Sequence, residues 1–246
     1  MCTLSWLPVH GGYGLFFNRD ESRLRGPEVP AGVHRWDSVA LVAPLDSDQG
    51  GTWIAANEFG VTVAVLNRYG PEMVRTVAQT SRGQLVRSLA TSPSPELVRR
   101  RLRSSMLSEY QPFTIATTAP DSPVYLLAWD GQSLDDRSVE LPGLVAISSG
   151  FSPEAEAARR AALSQIQAGG ALTTEVLEAF HRSHLPVRGP LSPCMHRPEA
   201  ETRSFCRVDV THDAVEIRHV LGPPCVTTEF VRSSVARSRE PSPLSR

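Results

Sequence analysis

Strand-like and helix-like stretches come in blocks along these 246 residues, and that order restricts the fold more than any single residue does. Short strands are predicted at 2–7, 13–17, 38–43, 52–56 and 61–66, separated by turns of Gly, Pro and Asp. Two helices follow. One spans 81–91, with Leu85, Val86, Leu89 and Ala90 on one face, and the other 94–105, where Ser94 can cap and Pro95 suits the first turn. Strands at 113–118, 124–129 and 144–148 precede a second helix pair. That pair is an Ala-rich helix over 153–168 and one over 173–184, with Leu172, Val176, Leu177 and Phe180 at helical spacing. Strands close the chain at 203–210, 214–220 and 226–230. Paired helices set between strand blocks need a sheet on which to bury their apolar stripes. The order therefore suits an α+β protein of two antiparallel sheets packed face to face, with helices outside each. One antiparallel sheet covered on a single side is the alternative from the pattern alone. Residues 232–246, rich in Ser, Pro and Arg, read as a disordered tail, which leaves 1–231 as a single domain.

Composition removes whole classes of function. With 41% hydrophobic and 21% charged residues the chain can bury one large core. Its net charge of −1 supplies no electrostatic attraction to nucleic acid or to an anionic membrane. All 25 cationic residues are Arg, so Schiff-base, pyridoxal phosphate and P-loop lysine chemistries are excluded, each needing an ε-amine. No apolar run approaches the ~18–20 residues of a membrane span, and the start lacks the basic and apolar regions of a secretory signal, which predicts a cytoplasmic protein. The four cysteines, Cys2, Cys194, Cys206 and Cys225, are too few and too scattered for a disulfide framework and are expected as free thiols. Cys194 and His196 taken with Cys206 match no usual zinc spacing, so neither a metal nor a cofactor is expected, and Cys206 reads as a core residue of a strand.

The chemistry is concentrated at the start. Cys2 follows the initiator Met, and its small side chain permits removal of Met1, leaving a thiol and a free α-amine on one residue. The amine, with a pKa of about 7.7–8.0, and the thiol, at about 8.5, both titrate near neutral pH, so one residue can supply nucleophile and base. Shortly afterwards the cluster Asn18-Arg19-Asp20-Glu21 interrupts an apolar run. Further on, Gly50-Gly51-Thr52-Trp53 and Val61-Thr62-Val63-Ala64-Val65-Leu66-Asn67 form two strand-like runs about a turn, delivering Asn67 to a sheet edge.

The start MCTLSW, the cluster NRDE, the runs GGTWIA and AVLNR and the later CMH and ETRS segments resemble the NRDE family of the transport-and-Golgi-organisation type, over roughly residues 1–220. That family in turn resembles the N-terminal-nucleophile hydrolases of the penicillin V acylase and bile salt hydrolase type. The resemblance implies a four-layer αββα sandwich with Cys2 at a sheet edge, and an amide or thioester bond of a small molecule as target. In this reading Cys2 is the nucleophile and Asp20 holds its amine. Asn67 donates to the oxyanion, Arg19 tunes the thiol or binds a substrate carboxylate, and Arg203 reaches in from a late strand. In the acylases an Arg precedes the Asp by three positions, where this chain has Phe17, and Ser148-Ser149-Gly150 stands where they use a second Asn. His196 is a weaker acid–base candidate, and Trp53 is a pocket or core tryptophan. A contrasting reading is a non-catalytic carrier of haem or an acyl-CoA-like lipid on the same scaffold, with Cys2 or His196 as axial ligand.

Overall fold

A computed structural model describes residues 2–70, 80–148 and 153–238. Its strands are β1 (Thr3–Val9), β2 (Gly12–Ser22), β3 (Glu28–Trp36), β4 (Val39–Asp46), β5 (Ile54–Asn57), β6 (Thr62–Asn67), β7 (Phe113–Thr118), β8 (Val124–Trp129), β9 (Leu134–Val139), β10 (Gly143–Ile147), β11 (Ala200–Val210), β12 (Ala214–Leu221) and β13 (Val231–Ala236). The helices are α1 (Arg82–Leu89), α2 (Pro95–Arg103), α3 (Pro153–Gln167) and α4 (Thr174–Arg182). Among the described residues, one antiparallel sheet has the order β10-β1-β2-β11-β12-β13 and the other runs from β3 to β9 in sequence order. Helices α3 and α4 cover the first sheet and α1 and α2 the second, which makes the four-layer αββα sandwich.

The strand that carries the charged cluster is buried over all but its last two residues. β2 lies between β1 and β11, and every residue from Gly12 to Asp20 is buried. Successive side chains of a strand point to opposite faces, so this strand serves two cores. Leu15 and Phe17 enter the layer between the sheets, while Phe16 turns to the helix layer with Leu177, Phe180 and Phe205. Each fully buried Phe contributes about 1.5–3 kcal/mol of hydrophobic stabilisation. Continuing the alternation, Asn18 and Asp20 face the helices and Arg19 faces the second sheet. β1 alternates in step: Cys2, Leu4 and Trp6 enter the inter-sheet core, while Ser5 bonds His181 of α4.

Three edge elements differ from the sequence expectation. β3 contains Pro30, which cannot donate to a ladder, but it is an edge strand with a register shift between Val29 and Gly32. β9, with Asp135, Asp136 and Arg137, is the opposite edge of the same sheet, where charge guards against further pairing. The last strand falls at 231–236 rather than 226–230, so the predicted tail begins as β13, paired along β12 from His219↔Val231 to Ala214↔Ala236. The rest of that tail, 239–246, lies outside the described residues, as do Met1, Ser149 and Gly150.

Candidate functional site

Antiparallel pairing of Thr3 with Asn18 brings the start of β1 beside the end of β2, and with it Cys2 beside Arg19 and Asp20. The Cys2 thiol points at the Asp20 carbonyl, 3.9 Å away, and the Cys2 carbonyl accepts from the Ser148 N–H at 2.8 Å. A cavity of about 400 Å³ opens here, lined by Cys2, Arg19, Asp20, Trp53, Asn67 and Tyr69 among others. Four of the five catalytic candidates from sequence, Cys2, Arg19, Asp20 and Asn67, thus line one cavity together with Trp53. Arg203 is not among the lining residues. It occupies the register shift where β11 passes β2, and its guanidinium donates to the Arg23 carbonyl at 3.3 Å.

Further lining comes from the segment before β5, from β6 and from the start of α1. β6 ends on Asn67, whose side-chain amide donates to the Tyr69 hydroxyl at 2.9 Å. The first turn of α1, capped by Ser81, adds Arg82 and Gly83. Gly51, the second glycine of the pair before Thr52-Trp53, has a steric cause. A Cβ on Gly51 would fall 2.5 Å from the Gly83 carbonyl carbon, and Thr52 N–H bonds the Gly83 carbonyl at 3.1 Å, so only glycine lets the loop touch the helix.

Arg19 is engaged by carboxylates and by Trp53. Its guanidinium lies 3.5 Å from Glu21, 3.6 Å from Asp46 and 3.8 Å from Glu28, and stacks 4.5 Å above the Trp53 ring. Burial, opposed by Arg19, raises the Glu28 pKa to about 7, so the balance of charge around Arg19 shifts near neutral pH. Burial pushes the Cys2 thiol pKa up; the positive charge at the start of the chain and the hydrogen bond to the Asp20 carbonyl oppose the rise, and the Asp20 and Glu21 charges add to it.

Asp20 turns its carboxylate to the helix side. Thr202 donates to its Oδ1 at 2.6 Å, and Arg159 of α3 lies 3.6 Å from its Oδ2, both side chains fully buried. Arg159 also bonds the Thr3 hydroxyl and the Leu191 carbonyl. Burial presses the Arg159 pKa down, while the Asp20 charge pushes it back up. Sequence reading missed this arginine, although a signal was present: Ala155, Arg159, Ala162 and Leu163 form one helical stripe, and an Arg on an apolar stripe needs a buried partner. Deeper still, Ser5 Oγ and His181 Nε2 are 2.7 Å apart, and burial lowers the His181 pKa to about 3.

That depression predicts acid sensitivity. A histidine near 6.5 unfolded and near 3 folded binds more protons when unfolded. Its contribution is complete above pH 6.5 and is lost as pH falls toward 3. Between pH 6 and 4, the unfolding free energy of the native chain is expected to fall more steeply than that of His181→Asn, by up to ~1 kcal/mol per pH unit, in urea titrations. Parallel slopes would exclude His181 as the cause.

Trp53 is 7% exposed and sits between the core and the cavity. His196 stands apart from the cavity, gathered with His184, Cys194 and Cys225. Cys206 is a fully buried strand residue, as expected.

The sequence model of the family described as Transport and Golgi organisation 2 matches residues 1–187. No curated protein matches the chain in sequence. Among solved structures, the chain is similar to the N-acylethanolamine-hydrolyzing acid amidase orthologue of Caenorhabditis elegans, with TM-score 0.57, 9% identity and coverage of 84% of this chain and 92% of that one. It is also similar to penicillin V acylase from Agrobacterium tumefaciens, with TM-score 0.53, 12% identity and coverage of 90% and 83%. A mutant conjugated bile acid hydrolase from Clostridium perfringens gives TM-score 0.52, 12% identity and coverage of 90% and 92%. At these identities the likeness is one of fold: all three share the N-terminal-nucleophile hydrolase sandwich.

Proposed function

The chain belongs to the Transport and Golgi organisation 2 family, and from that footing we propose that it is an N-terminal cysteine hydrolase or acyltransferase acting on an amide or thioester bond of a small molecule. The observation that carries this reading is the meeting of Cys2, Arg19, Asp20 and Asn67 around one cavity, at the buried start of β1. The names of the three structural neighbours, a conjugated bile acid hydrolase, a penicillin V acylase and an acid amidase, point the same way.

The chemistry follows from the groups present. With Met1 removed, the Cys2 α-amine takes the thiol proton, directly or through a water, and the sulfur attacks the substrate carbonyl. Asn67 Nδ2, turned from Tyr69, donates to the oxygen on which charge develops. As the tetrahedral intermediate collapses, the carbon–nitrogen or carbon–sulfur bond breaks and the ammonium returns its proton to the leaving group. Water or another acceptor then cleaves the Cys2 thioester, regenerating the thiol. Asp20, braced by Thr202 and Arg159, orients the start of the chain. Arg19, held by three carboxylates, forms a fixed wall that can meet a substrate's polar end.

The test is covalent trapping. Incubation with a panel of small amides and thioesters, followed by intact-mass and peptide analysis, is expected to show an acyl adduct on Cys2 in protein lacking Met1. An active cellular protein that retains Met1 would sink the mechanism. Ligand binding without any adduct across the panel would instead favour a carrier. Asn67→Ala is expected to lower kcat about 10²–10³-fold in steady-state assays with whichever panel member is turned over. Its melting temperature should stay within a few degrees of the native value, because Asn67 lies half-buried at the cavity rim. A loss confined to KM would remove Asn67 from the oxyanion role.

A further inference from the structure

We propose that His184, Cys194, His196 and Cys225 bind one zinc ion as a closed structural site. The four side chains come from three segments: His184 just after α4, Cys194 and His196 on the connection to β11, and Cys225 in the loop after β12. Their ligand atoms all lie within 4.8 Å of one another. From His196 Nε2 the distance is 3.2 Å to His184 Nε2, 3.6 Å to Cys194 Sγ and 3.5 Å to Cys225 Sγ. A tetrahedral zinc with ordinary bond lengths sets two nitrogens about 3.3 Å apart and a nitrogen and a sulfur about 3.6 Å apart. The observed spacings match those tetrahedral edges.

The backbone already holds the ligands in place. Cys194 N–H bonds the Ser183 carbonyl at 3.0 Å, His196 N–H bonds the Gly189 carbonyl at 3.1 Å, and Val226 N–H bonds the Pro223 carbonyl at 3.2 Å. Two thiolates balance a divalent charge, and a sulfur–nitrogen tetrahedron suits zinc over magnesium or calcium. Four protein ligands leave no open position for substrate, so the role is structural. Arg188 lies 3.4 Å from His196 Nδ1, and this exposed guanidinium must turn aside when Nδ1 carries the proton. Sequence spacing hid the site because it suggested Cys206 as the third ligand, whereas folding brings in His184 and Cys225 from other segments.

The consequence reaches the cavity. Met195, between two of the ligands, donates its N–H to Thr202 Oγ1 at 2.8 Å, and the same hydroxyl donates to Asp20 at 2.6 Å. Zinc would thus brace the support of Asp20, a positioning effect separate from the reaction itself.

The full chain, expressed with zinc and desalted, is expected to hold one zinc per molecule by elemental mass spectrometry. Cys225→Ser and His184→Ala should each lose it, and Cys206→Ala should keep it. A strong chelator should lower the melting temperature by several degrees, with recovery on adding zinc. Cobalt added to the unaltered, metal-free chain should give the visible bands of a tetrahedral thiolate site, a readout that needs no variant to fold. Zinc content unchanged in Cys225→Ser, no tetrahedral cobalt spectrum, or a Cys194–Cys225 disulfide in protein alkylated inside cells would each overturn the proposal.

Discussion

Replacing Cys2 with alanine is expected to abolish acyl-enzyme formation and to lower turnover by at least about 10⁴-fold, the scale of losing a covalent nucleophile. The side chain removed is small and its neighbours remain packed, so the melting temperature should move by no more than a few degrees. The pH dependence discriminates further. In the proposed mechanism the α-amine takes the thiol proton, while Arg19 is occupied by Glu21, Glu28 and Asp46. Acylation is therefore expected to rise with pH through an apparent pKa of about 7–8, where the amine loses its proton. A chain with Met1 retained should bind ligand without turnover. A rate flat from pH 6 to 9 would mean a preformed thiolate and a different mechanism.

Arg159→Met is expected to destabilise the protein by about 3–5 kcal/mol, because it removes the ion-pair partner of a buried carboxylate. For a chain of this size that corresponds to a fall of about 6–20 °C in melting temperature. Asp20→Asn keeps the shape and can still accept from Thr202, so it should cost less alone, and combined with Arg159→Met it should recover part of the loss. Calorimetry of the two single variants and the double variant measures the coupling. Additive effects would show that the two side chains do not act as a pair.

The local code was plain where one interaction range sufficed. Strand alternation and capping residues located β7 and β8 at their observed bounds, and Ser94-Pro95 marked the start of α2. The block order of elements implied two sheets with outer helices. Cys2 was legible from its place behind the initiator Met, Arg19 and Asp20 from the charged cluster that interrupts an apolar run, and Asn67 from its place at the end of a strand-like run. Edge strands were harder: β3 and β9 carry the Pro and the charges that suit an edge, and the same residues erase the strand signal.

The sequence by itself determined the apolar faces of most strands and helices and the candidates Cys2, Arg19, Asp20 and Asn67, because periodicity and side-chain type are local properties. Only the tertiary structure decided their partners. It gave Arg19 to three carboxylates, because β2 alternation points Arg19 toward the second sheet and Asp20 toward α3. It joined Asp20 to Arg159, 139 positions apart by number, and set Arg203 aside at a register shift. It also gathered His184 and Cys225 about Cys194 and His196. Such meetings depend on which strands pair and which loops cross, and no spacing along the chain encodes a distance through space.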